Sequence, residues 1–75
     1  MWATAHIFKG IQMLKNISSA GIIVSTIKLP GSKAWETMIF DADGNELFSR
    51  KYTSLLEASK WHAFYSIQND ARRVK

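Results

Sequence analysis

Histidine, serine and aspartate are the residues of this chain whose types could do chemistry. The two histidines, His6 and His62, lie far apart in the sequence, and there is no cysteine. A histidine can act as a general base, but no serine stands in the sequence context of a catalytic nucleophile. We also find no glycine-rich phosphate loop and no paired-carboxylate spacing. The sequence therefore predicts a protein that is not an enzyme, with no metal site, cofactor or small-molecule substrate.

The segment Asp41-Ala42-Asp43-Gly44-Asn45 shares its letters with the start of a calcium-binding loop. An EF-hand continues its ligand series to a bidentate glutamate about 12 residues from the start, whereas a strand pattern follows here at once. Asp41 can instead accept hydrogen bonds from its own backbone, and Gly44 can adopt a positive φ. The segment is predicted to be a type I turn followed by a residue in the left-handed region.

Length and composition bound the class of protein. The 75 residues are 47% hydrophobic and 21% charged, which is typical of a single globular domain spanning 1–75. A chain this short has marginal stability, and without cysteine, oligomerisation is the remaining way to support it. No apolar run approaches the roughly 20 residues of a membrane span, and no signal peptide is recognisable. The protein is expected to be cytoplasmic, and its net charge of +4 permits nucleic-acid binding.

Hydrophobic periodicity predicts a helix near the beginning of the chain. Within residues 4–18, Ile7, Ile11, Leu14 and Ile17 fall on one arc at about 100° per residue. The following Ser-Ser-Ala-Gly sequence is a stop signal.

A second helix is predicted over residues 54–70. Ser54 and Glu57 form a capping box at its start, and residues 71–75 are expected to be a frayed tail. His62 falls at the edge of its core stripe, where a packed or capping histidine is favoured over a catalytic one.

Three strands are predicted between the helices. Residues 22–29 are rich in β-branched side chains and are bounded by glycine and proline, and residues 35–41 and 46–52 flank the aspartate-glycine turn. The fold class is therefore α+β, with the order α-β-β-β-α: a three-stranded antiparallel meander with two helices packed on one face. In the expected register Glu36 lies opposite Arg50 and Met38 lies opposite Phe48, which pairs opposite charges and apolar side chains.

The second helix also carries more aromatic side chains than one core-facing stripe can use. The predicted stripe consists of Leu55, Leu56, Ser59, Ala63, Ser66 and Ile67. Trp61 and Phe64 then fall on the opposite half, and Tyr65 falls at the boundary. Grouped exposed aromatics often mark interaction sites, although the N-terminal helix or Trp2 could cover them. With Trp35 on the sheet, Trp61, Phe64 and Tyr65 are the candidates for binding another protein or a second copy in a homodimer.

Three motifs resemble a family of small uncharacterised proteins of tailed phages and prophages. They are V-S-T at 24–26, E-T-M-I-F at 36–40, and the pattern Y-x-S-x-x-E-A-x-x-x-H that begins at Tyr52. The resemblance covers residues 22–65 and leaves the first 20 residues outside it. It implies a compact α+β unit of phage origin in a bacterial host cell, and it implies no activity.

Nucleic-acid binding is the alternative function. The order α-β-β-β-α is that of a double-stranded-RNA-binding domain, and a three-stranded sheet with a helix resembles the arm-binding domains of phage integrases. Glu57 stands where the first of these folds carries a basic cluster. In the second comparison, the sheet would contact phosphates through four basic side chains: Lys28, Lys33, Arg50 and Lys51.

Overall fold

The computed structural model of the protein describes residues 13–73, which form an antiparallel sheet with a helix across one face. The elements are β1 (Met13–Ser18), β2 (Ile23–Lys28), β3 (Trp35–Phe40), β4 (Glu46–Tyr52), α1 (Leu55–Gln68) and β5 (Ala71–Arg73). The strands lie in the order β4-β3-β2-β1-β5, and every neighbouring pair is antiparallel. The predicted α+β class is thus confirmed.

The predicted meander corresponds to β2, β3 and β4, and the predicted second helix corresponds to α1. Ser54 caps α1, and its Oγ accepts a hydrogen bond from the Glu57 backbone N at 3.2 Å. At the other end Asn69 closes the helix, and its side-chain nitrogen donates to the Tyr65 carbonyl at 2.8 Å. α1 contacts all five strands.

The prediction of a helix over 4–18 is wrong for residues 13–18, and its remaining part lies outside the described residues. These six residues form β1, which pairs with β2 from Met13 opposite Ile27 to Ile17 opposite Ile23. The stop signal after β1 is a tight turn, in which the Gly21 N donates to the Ser18 carbonyl at 3.0 Å. A local helical period was overridden here by strand pairing.

Residues 71–73 were expected in a frayed tail, but they form β5 against β1. Asp70 takes a positive φ of 54°, which reverses the chain after α1. Ala71 then lies opposite Ser18, and Arg73 lies opposite Asn16. β1 and β5 extend the predicted three strands to five, with one helix among residues 13–73 in place of the predicted pair.

The turn between β3 and β4 is the predicted one, but the register beyond it differs. Asp41 Oδ1 accepts from the backbone N of Asp43 and of Asn45, both at 2.9 Å, and Gly44 has a φ of 88°. Phe40 lies opposite Glu46, as the predicted register requires.

A bulge at Leu47 then shifts the pairing by one residue. Glu36 lies opposite Lys51, and Met38 lies opposite Ser49, so the predicted pairs of Glu36 with Arg50 and Met38 with Phe48 are wrong. One extra residue moves the following side chains to the other face. Phe48, Arg50 and Tyr52 therefore point to the side that α1 covers.

Two apolar clusters make up the core between the sheet and α1. One joins Val24, Ile39 and Ala71, and the other joins Trp35, Tyr52 and Ala58. Along β2 and β3, the opposed residues Thr26 and Thr37 separate the two clusters, and both are fully buried. The centre of this small core is therefore polar.

Candidate functional site

His62 lies at the centre of a hydrogen-bonded series that we call the polar chain: the half-buried Asn16 and the buried His62, Thr26 and Thr37. Its Nδ1 is 2.7 Å from Thr26 Oγ1, which is 2.7 Å from Thr37 Oγ1. Its Nε2 is 2.8 Å from the Asn16 side-chain amide. His62 is 5% exposed, so the prediction of a packed histidine is confirmed. Since both ring nitrogens are engaged, neither is open to an incoming molecule.

The other three members of the polar chain were not predicted from the sequence. A signal was nevertheless present, because Thr26 and Thr37 occupy the inward positions of central strands that otherwise bury Val24 and Ile39. A threonine at such a position needs a hydrogen-bond partner. A histidine on the covering helix is one side chain that can supply it.

A shallow depression adjoins the polar chain where α1 meets β1 and β5. Its volume is about 380 Å³, and it is lined by Leu14, Asn16, Ser59, His62, Ala63 and Arg73. Arg73 is the charged side chain of this lining. Burial, followed by the positive charge of Arg73, lowers the pKa of His62 below its usual value, so the ring is neutral at neutral pH.

The outward surface of α1 carries several large apolar side chains. The helix buries Ala58, His62 and Ser66, of which two are polar. Leu56 is 82% exposed, Ile67 is 80% exposed and Phe64 is 45% exposed. With Lys60 and Ala63, which are also exposed, these side chains lie on one outward-facing arc. We call them the outer stripe: Leu56, Lys60, Ala63, Phe64 and Ile67.

The predicted core stripe of this helix is therefore rotated relative to the observed one. Leu56, Ala63 and Ile67 were expected in the core but face solvent, whereas Ser66 is buried as predicted. The hydrogen bonds of His62 turn that residue toward the sheet, and the bulky Trp61 rotates inward with it. Trp61 is half-buried against the cluster of Trp35, Tyr52 and Ala58.

Three of the four predicted partner-binding residues lie together on α1. Trp61 and Phe64 have ring centroids 5.4 Å apart, and Tyr65 is 5.5 Å from Phe64 and 5.9 Å from Trp61. Phe48 of β4 extends the group, with its centroid 4.8 Å from that of Tyr65. Trp35 is only 6% exposed, so a partner could not contact its ring without opening the core.

The four predicted nucleic-acid contacts lie at one end of the sheet but not on one surface. Lys28, Lys33, Arg50 and Lys51 are all exposed. Lys28 and Arg50 project on the face that α1 covers, whereas Lys51 projects on the other. The Lys28 Nζ donates to the Ser32 carbonyl at 3.1 Å. The basic residues are thus gathered at an end but divided between two faces.

Neither a metal site nor a membrane span is found in residues 13–73. Within that range, histidines and carboxylates do not gather in groups of three or more that could hold a metal ion. The helix of the same range is too short and too polar to cross a membrane.

No family model, no curated protein and no solved structure matches this chain. Function must therefore be inferred from the exposure, contacts and charges of its own residues. Two features stand out on those grounds, namely the outer stripe of α1 and the polar chain beneath it.

Proposed function

We propose that this protein works without catalysis, by binding a segment of another protein on the outer stripe of α1. The observation that carries the proposal is the exposure of Leu56 and Ile67, which is 82% and 80% on a helix whose buried side includes His62 and Ser66. The resemblance to small phage and prophage proteins supports placing it as an accessory protein in the cytoplasm of a bacterial host.

The apolar part of the outer stripe is large enough to contribute usefully to affinity. Fully burying a side chain such as leucine, isoleucine or phenylalanine is worth about 1.5–3 kcal/mol. Leu56, Phe64 and Ile67 lie within three turns of one helix, beside the partly exposed ring of Trp61. Aromatic side chains at the centre of an interface often dominate its energy, so Phe64 and Trp61 are the expected anchors.

Lys60 indicates the charge of the partner. It lies between Leu56 and Ala63 on the stripe, with its Nζ 5.7 Å from the centroid of the Trp61 ring. Pairing α1 with a second copy of itself along this stripe would bring Lys60 near its own equivalent, and opposed like charges disfavour association. A partner segment with apolar side chains and a carboxylate facing Lys60 fits better.

The test uses purified tagged protein and lysate of the bacterial host. We expect the wild type to capture a partner that the double variant Leu56→Ser/Ile67→Ser does not capture. Leu47→Ser is the matched control, because Leu47 is 58% exposed but lies on β4, away from the stripe. With the purified partner, Lys60→Glu should weaken binding roughly tenfold or more.

Other results would change the proposal. Light scattering that shows a wild-type dimer, and a monomer for the double variant, would replace the acidic partner with a second copy of the chain. A monomeric wild type that captures nothing specific to the stripe would overturn the proposal. Capture that survives Leu56→Ser/Ile67→Ser but fails for Leu47→Ser would move the site to β4.

Nucleic-acid binding is the second candidate, and the gathering of Lys28, Lys33, Arg50 and Lys51 at one end of the sheet is the observation in its favour. Phosphate contacts of this kind weaken steeply as salt rises. Fluorescence anisotropy of labelled double-stranded DNA and RNA should be measured at low and at physiological salt. Micromolar binding that falls with salt, and that is lost in Arg50→Ala/Lys51→Ala, would favour this function over protein binding.

A further inference from the structure

The polar chain offers an interpretation that is independent of the proposed binding function. A buried network stabilises a core only when all its members are paired. Neutral histidine carries one donor and one acceptor nitrogen, whereas protonated histidine carries two donors. A change in the protonation of His62 must therefore change its hydrogen bond with Thr26 or its hydrogen bond with Asn16.

Asn16 is the member that links His62 to β5, and its amide is satisfied in one orientation. Its nitrogen donates to His62 Nε2 at 2.8 Å and to the Lys15 carbonyl at 3.1 Å, while its oxygen accepts from the Arg73 backbone N at 3.2 Å. His62 Nε2 is then an acceptor, so Nδ1 carries the proton and donates to Thr26. This orientation satisfies both the oxygen and the nitrogen of the amide and requires a neutral ring.

A protonated ring requires an acceptor at Nε2, which the Asn16 amide supplies only by turning over. Its oxygen would then face the Lys15 carbonyl at 3.1 Å, and its nitrogen would face the Arg73 backbone N at 3.2 Å, so that both contacts become repulsive. The Arg73 backbone N loses its acceptor on Asn16. Protonation of His62 therefore removes a side-chain hydrogen bond that holds β5.

The charges around His62 act in the same direction. β1 and β3 place no titratable side chain between the sheet and α1. The other elements that pack around His62 place five there: Lys28, Arg50, Tyr52, Arg73 and Tyr65. This set from residues 13–73 contains no carboxylate, and Asp70 lies in the exposed turn before β5. An imidazolium at His62 thus gains no counter-charge and meets the positive Arg73.

We propose that protonation of His62 turns the Asn16 amide and releases β5 from β1, so that acidification opens this edge of the sheet. β5 is suited to release, because it has three residues and only Ala71 among them is buried. Its departure exposes the backbone groups of β1, and an open strand edge can accept a strand from another chain.

The experiment follows both events in the full chain by nitrogen-15 NMR. The ring nitrogen shifts of His62 report its tautomer and its titration, and hydrogen exchange reports the protection of the Arg73 amide relative to the Thr37 amide at each pH. We expect the Nδ1–H tautomer at neutral pH. As the ring titrates, Arg73 protection should fall roughly tenfold relative to Thr37.

Two variants distinguish the release of β5 on protonation of His62 from global unfolding. Asn16→Asp places a carboxylate beside the ring, so the His62 titration should move to higher pH. Because both carboxylate oxygens accept, the Arg73 backbone N keeps its acceptor, and its protection should no longer fall as the ring titrates. His62→Gln should abolish the pH dependence of Arg73 protection. The proposal is overturned if Arg73 and Thr37 of the wild type lose protection in parallel, if His62 of the wild type titrates without effect on Arg73, or if the pH dependence survives in His62→Gln.

Discussion

Thr26 and His62 meet in the interior with 2.7 Å between Thr26 Oγ1 and His62 Nδ1. This contact fixes the rotation of α1 about its own axis, because it turns the His62 side of the helix toward β2. Leu56 and Ile67 are carried to the opposite side by the same rotation. The polar core and the apolar outer stripe are thus two consequences of one orientation.

Replacing Thr26 by valine should destabilise the fold. Valine keeps the shape but leaves the ring nitrogen of His62 without a partner, which costs about 1–3 kcal/mol. Urea denaturation measures the change, with Thr53→Val as the control because Thr53 is exposed. The double variant Thr26→Val/His62→Leu should lose less than the sum of its single variants, since it removes both partners. Equal stability of Thr26→Val and wild type would show that the hydrogen bond contributes nothing.

Stability should fall as the pH drops below neutral. The folded state lowers the pKa of His62 from its usual 6.5, so the unfolded chain binds the proton more readily. The contribution of the neutral ring is therefore complete above about pH 6.5 and is lost as the pH falls toward the lowered value. His62→Gln should flatten this part of the pH profile while keeping His6. A profile unchanged by that substitution would assign the effect to other groups.

Truncation of the outer stripe should leave stability nearly unchanged. We expect Leu56→Ala and Ile67→Ala each to alter the free energy of unfolding by about 0.5 kcal/mol or less, as for other surface positions. Trp35→Ala, by contrast, should cost about 3–5 kcal/mol, since the ring is buried in a core cluster. Thermal and urea denaturation can compare the three. A core-sized loss for Leu56→Ala would mean that α1 is rotated as the sequence predicted.

Gly21→Ala should be more damaging than Gly44→Ala, although both glycines have a φ near 90°. The left-handed backbone costs each alanine roughly 1–2 kcal/mol. At Gly21 the added Cβ would also lie 2.9 Å from Ala42 Cβ, whereas at Gly44 it would meet nothing within 4 Å. Adding Ala42→Gly should therefore rescue part of the loss in Gly21→Ala. If the two alanine variants are equally stable, the approach of these two turns is not tight.

The elements of the fold that could be predicted are those determined by residues close together in the sequence. β2, β3, β4 and α1 follow from β-branched runs, the Asp41–Gly44 turn and the Ser54 cap, each of which acts within a few residues. β1 and β5 depend on pairing between distant segments. The helical spacing of Leu14 and Ile17 does not indicate that these residues pair with β2. Likewise, Arg72 and Arg73 do not indicate that their segment forms a strand against β1.

The candidate site was predictable in composition but not in orientation. The sequence identified Trp61, Phe64 and Tyr65 as a group, and the structure brings them within 6 Å of one another. The exposure of Leu56 and Ile67 escaped prediction, since apolar side chains were assigned to the core by default. Trp35 is buried because β3 turns it toward α1, and the bulged residue in β4 brings Tyr52 opposite it.

The strand order also has a consequence for the path of folding. Neighbouring strands from β1 to β4 are joined by short connections, so each hairpin can close with little loss of chain entropy. The residues that β1 pairs with in β5 lie beyond β2, β3, β4 and α1 in the sequence, and β5 can reach β1 only once α1 has crossed the sheet. We therefore expect the hairpins to form early and β5 to join last. A slow final phase seen only at the β5 amides would be the kinetic signature of that order.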